Sequence, residues 1–264
     1  VFNWLNKYIM PFLGNETPIK DIKPRQINEF SRWLLDKGLK PVTVNKILSV
    51  LSQILKYAAQ NEWIETVPFV KRVKEQKQEH GYELSLYQCA RIMVAARKIS
   101  DDAFRFIALG LFCGLRHGEA LSVQWSDVDF DEGLIWLRKK KNRQSHPAPL
   151  GMAEKYLSQV PENERTGHVV QFFDHKIGRR RPVLRMRKTW ATIRQRAGLD
   201  HIRKRDGEKI RYHDLRHTFT SRYFRALGYE ARFLSRHSSA EAFTKYLHND
   251  SRKILKKAKE IFGA

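Results

Sequence analysis

The chain has 264 residues, and 42% of them are hydrophobic, which supports a packed core and excludes a disordered chain. Lys and Arg number 50 against 28 Asp and Glu, a formal net charge of +22. A surplus of this size favours a polyanionic partner. Nucleic acid is favoured over an acidic membrane surface, because neither a basic amphipathic anchor nor a lipidation signal accompanies the charge. We find no signal peptide and no apolar run of membrane-spanning length, so we expect a cytoplasmic protein, associated with the nucleoid in a bacterium.

The first part of the chain is predicted to be helical. Apolar residues recur at helical spacing from Phe2 to Phe12, along a second helix at about 24–37, and along a third after Pro41. Nothing in this part alternates like a strand. Residues 1–72 are therefore predicted to form a compact helical module, and the polar, aperiodic stretch 73–84 is predicted to be a linker.

A second domain is predicted over residues 85–264. Ser85 is placed to cap its first helix, and Asp101 or Asp102 is placed to cap the second. Further helices are predicted near residues 151–159, 180–197, 213–227, 230–236, 239–247 and 251–262.

A β-hairpin is predicted between the helices of this second domain. Its strands are residues 134–138 and 147–150, and the turn between them is extremely basic. The two cysteines, Cys89 and Cys113, lie in apolar helical patterns. They indicate small buried residues in a reducing compartment, not a disulfide or a metal site.

Two short motifs carry candidate chemistry. Arg116 stands three residues before Glu119, and His213, Arg216 and His217 share one side of a predicted helix. Forked cationic donors and groups that titrate near neutral pH are suited to holding a phosphodiester and moving protons. Each motif alone is more typical of an ordinary surface, because Arg–Glu pairs and basic helix faces are common there.

Zinc binding is an alternative interpretation of the second motif, because its histidines are spaced i, i+4. It is disfavoured, because Asp214 breaks the H-E-x-x-H pattern and no third ligand is implied.

Taken in chain order, the motifs resemble the tyrosine recombinase family, the phage-type integrases in particular. The Arg116 motif, the Lys-tipped hairpin and the His213 motif are followed by His237 and, nine residues later, Tyr246. The segments around these two residues, Arg-His-Ser-Ser and Lys-Tyr-Leu-His, are similar to motifs of the family. The resemblance covers nearly the whole chain.

The resemblance implies a fold and a division of the chain. It implies a mainly α protein with a small antiparallel β-sheet. A helical, SAM-like N-terminal core-binding domain would precede a mixed α+β tyrosine recombinase catalytic domain. Phage members of the family often carry a further N-terminal arm-binding domain, so a truncated chain and the simpler two-domain form both stay open here.

The resemblance also implies the roles of individual residues. Arg116 and Arg216 would clamp the scissile phosphate, and Tyr246 would attack phosphorus to give a 3′-phosphotyrosine bond. His213 and His237 would hydrogen-bond the phosphate or assist proton transfer. The supporting residues would be Glu119 and His217. A hairpin lysine would protonate the leaving group, placed at Lys141, with Lys140 and Lys139 as alternatives. No metal, ATP or other cofactor is expected, because the phosphotyrosine link keeps the energy of the broken bond.

One position departs from the family pattern. The residue before His237 is usually glycine in the family, and this chain has Arg236. A long side chain there bears on how His237 is placed.

The partner implied is double-stranded DNA carrying attachment or recombination sites, bound by a homo-tetramer that exchanges the C-terminal helix 251–262. Accessory DNA-bending or excision factors are possible further partners, and no membrane is involved. Asn45 and Gln53 are predicted to contact bases from the third helix. The other predicted DNA contacts are basic residues: Lys40, Lys46, Lys56, Lys71, Arg72, Lys139, Lys140, Arg143, Arg179, Arg180, Arg181 and Arg187.

Two other functions stay open from the sequence. A type IB topoisomerase shares the chemistry but works as a monomer, and a DNA-binding protein with a silent site would keep the basic surface without strand cleavage.

Overall fold

The computed structural model describes residues 2–75, 81–137, 147–174, 176–204 and 207–236. The chain forms two compact units, residues 1–77 and 78–264. The division predicted from the sequence, with domains at residues 1–72 and 85–264 and a linker between them, stays a prediction.

The first unit is helical throughout its described elements. Helix α1 (Phe2–Trp4) continues through a π-helical turn (Leu5–Ile9) into α2 (Met10–Leu13), and α3 (Pro24–Asp36) and α4 (Pro41–Gln60) follow. Both longer helices begin with proline, whose missing N–H needs no partner in a first turn. Their apolar stripes meet in one core: Ile27, Phe30, Leu34, Val44, Ile47, Leu48, Leu51, Leu55 and Ala58.

The second unit is built around a buried helix. Helix α5 (Leu86–Arg97) starts at Ser85, whose hydroxyl accepts a hydrogen bond from the Gln88 N–H at 3.1 Å, as its predicted cap. Helix α6 (Asp101–Phe112) is capped by Ser100 and not by Asp101 or Asp102 as predicted, because the Ser100 hydroxyl accepts from the Ala103 N–H at 3.0 Å. Nearly every side of α6 is apolar, which is typical of a helix that is covered on all sides.

Five further α-helices, several 3-10 turns and two small antiparallel sheets complete the second unit as described. The helices are α7 (His117–Ser122), α8 (Glu154–Leu157), α9 (Arg187–Arg196), α10 (His213–Leu227) and α11 (Ala231–Ser235). The strands are β1 (Val128–Asp129), β2 (Leu134–Ile135), β3 (Ala148–Pro149), β4 (Gln171–Asp174) and β5 (Arg179–Pro182). Strands β1, β2 and β3 are neighbours in that order, and β4 pairs with β5.

The pairing of the predicted hairpin is confirmed, with strands shorter than predicted among the described residues. Leu134 pairs with Pro149 and Ile135 with Ala148, while its tip, residues 138–146, lies outside the described residues. The predicted helix at 180–197 is wrong over its first part. Residues Arg179–Pro182 are a strand paired with β4, and Pro182 would disrupt the interior of a helix.

The fold class predicted from the sequence is confirmed: mainly helical, with small antiparallel sheets. Both cysteines are buried and free. Across the described ranges, no helix is long and apolar enough to cross a bilayer. The predicted helices at 239–247 and 251–262 lie outside the described residues.

Candidate active site

The site begins at a tight turn after α6. Gly114 has φ +61°, and a Cβ atom there would lie 2.5 Å from Cδ1 of Phe219, so only glycine fits without displacing the ring. The turn leaves the Gly114 carbonyl facing α10. It also directs the chain into Arg116, the residue that precedes α7.

Arg116 and Glu119 hold each other across the first turn of α7. The Glu119 carboxylate accepts the Arg116 backbone N–H at 2.8 Å through Oε2 and Nη1 of the Arg116 side chain at 2.8 Å through Oε1. Burial by itself would raise the pKa of Glu119, but the charge of Arg236 and the hydrogen bonds from Arg116 hold it below its ordinary value. Glu119 is therefore a carboxylate at neutral pH.

Helix α10 brings Arg216 to the same place. The Arg216 side chain is only 1% exposed, and its Nη1 donates to the Gly114 carbonyl at 2.5 Å. The same atom lies 3.9 Å from Oε2 of Glu119. Two arginines about a hundred residues apart in sequence thus meet around one carboxylate, as the order of motifs predicted.

A third arginine, which the sequence did not assign to the site, completes this cluster. Nη2 of Arg236 donates to Oε2 of Glu119 at 3.0 Å and to the Gly114 carbonyl at 3.3 Å. The side chain is 6% exposed, and within the described ranges Nη1 has no hydrogen-bond partner. The one sequence signal was its departure from glycine directly before His237.

The two histidines of the second motif are adjacent. The rings of His213 and His217 lie 4.7 Å apart, edge to face, on the first turns of α10. Partial removal from water and the charge of Arg216 lower the pKa of His213, while Asp214 opposes the shift. The neutral ring, which can accept or donate a proton, is therefore favoured at neutral pH.

Tyr212 stands next to His213 but is not available as a nucleophile. Its hydroxyl donates to the Phe106 carbonyl at 3.0 Å, and its ring stacks on Phe106 with centroids 4.2 Å apart. Burial raises the pKa of this phenol well above its ordinary value. Tyr212 therefore supports α6 and α10 and does not offer a reactive oxygen.

The remaining predicted catalytic residues lie outside the described residues: Lys141 with its alternatives Lys139 and Lys140, His237 and Tyr246. The same holds for the predicted DNA contact Arg143 and for the helix 251–262. Their roles stay predictions. In the part of the chain that the structure describes, no three His, Cys, Asp or Glu side chains are grouped as a metal site would need.

One face of α4 carries three of the residues predicted to contact DNA in the first unit. Lys46, Gln53 and Lys56 are exposed and fall within one side of the helix. Lys40 and Lys71 are also exposed, beside the start of α4 and after its unit's last helix.

The prediction that Asn45 contacts a base is wrong. Asn45 is 7% exposed, and its amide is engaged inside the unit. Its Nδ2 donates to the Val73 carbonyl at 2.9 Å and to Glu75 at 2.6 Å, while Oδ1 accepts the Val73 N–H at 2.9 Å. Arg72 is held nearby, donating to the Asn45 carbonyl at 2.5 Å. These hydrogen bonds hold residues 72–75 against α4.

Four of the arginines predicted to contact DNA in the second unit lie within the described residues, where all four are exposed and two are paired. Arg180 lies 3.4 Å from Asp102, and Arg181 lies 3.2 Å from Asp174. Arg179 and Arg187 complete this exposed basic group on β5 and the start of α9.

Comparison with known proteins gives a family for both units. A model described as "Phage integrase family" matches residues 82–253, and one described as "Phage integrase SAM-like domain" matches residues 1–77. The prophage integrase IntR of Escherichia coli K12 is 30% identical over 148 residues, 50% of this chain and 35% of that protein. The shufflon-specific DNA recombinase of Escherichia coli is 28% identical over 221 residues, 79% of this chain and 52% of that protein.

Solved structures share the fold. A dimer of lambda integrase bound to a core site superposes with a TM-score of 0.74 at 20% identity, covering 95% of this chain and 89% of that one. The Tn1549 transposon integrase in complex with transposon right end DNA gives a TM-score of 0.75 at 16% identity, covering 100% and 93%. By contrast, the chain spans only about a third to a half of the length of the curated relatives that it matches.

Proposed function

The chain belongs to the phage integrase family, and from that premise we propose that it is a site-specific DNA recombinase. It would cleave and rejoin DNA strands for the integration or excision of a mobile element or prophage. The observation that supports this most directly is that Arg116 and Arg216 meet at Glu119, with Arg216 also donating to the Gly114 carbonyl. Cations concentrated around a single carboxylate leave positive charge for an anion such as a phosphodiester.

The reaction would proceed through the tyrosine. The Tyr246 oxygen bonds to phosphorus and the bond to the 5′-oxygen breaks, which leaves a 3′-phosphotyrosine and a free 5′-hydroxyl. The phenolic proton passes to a base, for which His213 and His237 are the candidates. Lys141, or Lys140 or Lys139 in its place, gives a proton to the 5′-oxygen. Arg116 and Arg216 stabilise the charge that grows on the non-bridging oxygens.

The burial of Tyr212 supports Tyr246 as the nucleophile. A phenol that is buried, hydrogen-bonded to the Phe106 carbonyl and raised in pKa cannot reach a phosphate without unfolding the site. The neutral state favoured for His213 also suits a group that exchanges a proton with a phenol or a phosphate.

DNA recognition would be divided between the two units. We assign residues 1–72 to core-type DNA binding, 73–84 to a linker and 85–264 to catalysis. The exposed face of α4 would enter the major groove with Gln53, while Lys46 and Lys56 would contact phosphates. Strand exchange would take place in a homo-tetramer assembled through residues 251–262, with DNA-bending or excision factors setting direction, in the cytoplasm at the nucleoid.

The test is the capture of the covalent intermediate. A Tyr246→Phe variant selects bound sequences from a random duplex library, and the parent chain is then incubated with a nicked duplex carrying the selected site. We expect a protein–DNA adduct that survives denaturation, requires no metal or ATP, and is absent with Tyr246→Phe. An adduct that persists in that variant would exclude Tyr246 as the nucleophile.

The same preparations separate the two competing functions. Relaxation of a supercoiled plasmid without recombinant products would indicate a topoisomerase. Specific binding with no adduct on any selected site would indicate a DNA-binding protein with a silent site. Either result would overturn the proposed function.

A further inference from the structure

Arg236 has an unusual backbone and an unusual side-chain environment. Its φ is +53°, in the left-handed region that disfavours a side chain. Its guanidinium is buried and has a partner on only one of its two terminal nitrogens among the described residues. Both features oppose folding, so the contacts at Nη2 are what hold this side chain inward.

Those contacts are made to the atoms on which the active site is built. Oε2 of Glu119 accepts from the Arg116 backbone at 2.8 Å and from Arg236 at 3.0 Å, whereas Arg216 approaches it only to 3.9 Å. Arg236 and Arg216 therefore share this carboxylate oxygen, and Arg236 is the closer of the two. Arg216 stays directed at the Gly114 carbonyl, 2.5 Å away.

The cluster also gains charge from Arg236. Three guanidinium groups around one carboxylate leave a formal charge of +2, and without Arg236 the remainder would be +1. A phosphodiester carries one negative charge, and the five-coordinate phosphorus formed during attack carries two. Cations that match the second state more closely than the first accelerate the reaction.

We propose that Arg236 is a positioning residue of the strand-cleavage reaction. It holds Glu119 from the buried side and keeps Arg116 and Arg216 oriented toward the phosphate. This role rests on the proposed function, because it concerns the step in which Tyr246 attacks phosphorus.

Three substitutions separate charge, shape and backbone. Arg236→Met keeps a long stem without charge, Arg236→Lys keeps the charge without the planar fork, and Arg236→Gly suits the left-handed backbone while removing the side chain. Arg165→Met is the matched control. Arg165 is also largely buried and donates to the backbone carbonyls of Val160 and Ser158, but it has no contact with the arginine cluster.

The measured quantities are the single-turnover rate of adduct formation on the selected nicked duplex and the affinity for the intact duplex. We expect Arg236→Met and Arg236→Gly to lower the rate at least about tenfold with affinity changed less than about threefold. Arg236→Lys should recover part of the rate. Arg165→Met should lower the melting temperature and leave the rate within about threefold.

A second readout does not depend on DNA. In a ¹³C NMR titration, with the Glu119 signal assigned by Glu119→Gln, the carboxyl should titrate at higher pH in Arg236→Met than in the parent chain. An unchanged titration would show that the ion pair is absent and would overturn the proposal. So would a normal cleavage rate in Arg236→Gly, which would mean that only the backbone turn matters.

Failure of the proposed function looks different. If the parent chain forms no adduct, the recombinase assignment falls and the catalytic role of Arg236 falls with it, whatever the titration gives. An active parent chain with equally active Arg236 variants overturns the role of Arg236 alone.

Discussion

Gly114→Ala is the substitution whose effect can be worked out most directly from the site. Its new methyl would lie 2.5 Å from Cδ1 and 2.8 Å from Cε1 of Phe219, and the backbone would keep a φ of +61°. The left-handed backbone costs about 1–2 kcal/mol for an L-residue, and overpacking a filled core costs about 1–3 kcal/mol more. We therefore expect the free energy of unfolding of this unit to fall by about 2–5 kcal/mol.

A double-mutant cycle isolates the clash from the backbone cost. The three nearest atoms to the new methyl all belong to the Phe219 ring, so Phe219→Ala, which lacks all three, removes the obstacle. Phe219→Ala alone should cost roughly 3–5 kcal/mol, because the buried ring is lost and a cavity remains. The double variant should then be more stable than the sum of the two single effects predicts, by roughly 1–3 kcal/mol.

Hydrogen exchange of peptides from α6 and α10, together with urea denaturation, measures these changes in stability within the unit that carries the clash, because a chain of two compact units need not unfold in one step. Gly118→Ala is the control. A Cβ atom there meets nothing within 4 Å, so stability should stay the same or rise by up to about 1 kcal/mol. Additive losses in the Gly114–Phe219 cycle, within about 0.5 kcal/mol, would refute the assigned packing.

Three further outcomes test other parts of the structure. Asn45→Ala should lower the urea-unfolding free energy by about 1–3 kcal/mol by stranding its backbone partners, whereas Lys46→Ala should spare stability and reduce the salt slope of DNA binding by about 1. A reduced salt slope in Asn45→Ala with unchanged stability would instead support Asn45 as a DNA contact. Because the folded-state pKa of Glu119 lies below its ordinary value, its carboxylate stabilises the fold above that value, and this contribution is lost as pH falls through the lowered pKa. Urea titrations from neutral to acidic pH should therefore lose less stability in Glu119→Gln, and parallel curves would contradict the assignment. Burial raises the pKa of Cys113 to about 12, so iodoacetamide at mildly alkaline pH should leave this thiol unlabelled in the native chain. Mass spectrometry that found it labelled at the rate of the unfolded chain would show that the core opens.

The elements that the sequence predicted well are those with strong local patterns. Helices α3 and α4 begin at prolines and carry long apolar stripes, and Ser85 caps α5 with the N3 glutamine of a capping box. The β4–β5 hairpin was missed because its support is not local. Asp102, on α6, accepts the Gln171 N–H at 2.8 Å and pairs with Arg180, so the strand position depends on a residue about 70 positions away.

The candidate site was also predictable only in part. The order of the motifs suggested the family resemblance, and that resemblance implied that Arg116 and Arg216 meet. Residue type alone could not separate Asn45 from Lys46, which are neighbours in sequence but point about 100° apart around α4, one inward and one outward. Residue type also could not place Arg236 in the site. Its assignment depends on the contact with the Glu119 carboxylate, which only the structure shows.

The basic residues of this chain fall into two groups with different effects on a bound phosphate. Exposed residues such as Lys46 and Lys56 face water, where salt screens their charge, so on a bound DNA they would add to affinity without fixing the geometry of any one phosphate. Arg216 and Arg236 are buried, and their nearest partners, Glu119 and the Gly114 carbonyl, hold them in fixed orientations at the lower dielectric of the interior. Charges in that setting act more strongly on a group that comes close to them, and they need no rearrangement when negative charge builds up on it. Under the proposed function, the net charge of +22 would account for binding to a polyanion, whereas the few arginines around Glu119 would account for the reaction of one phosphate among many.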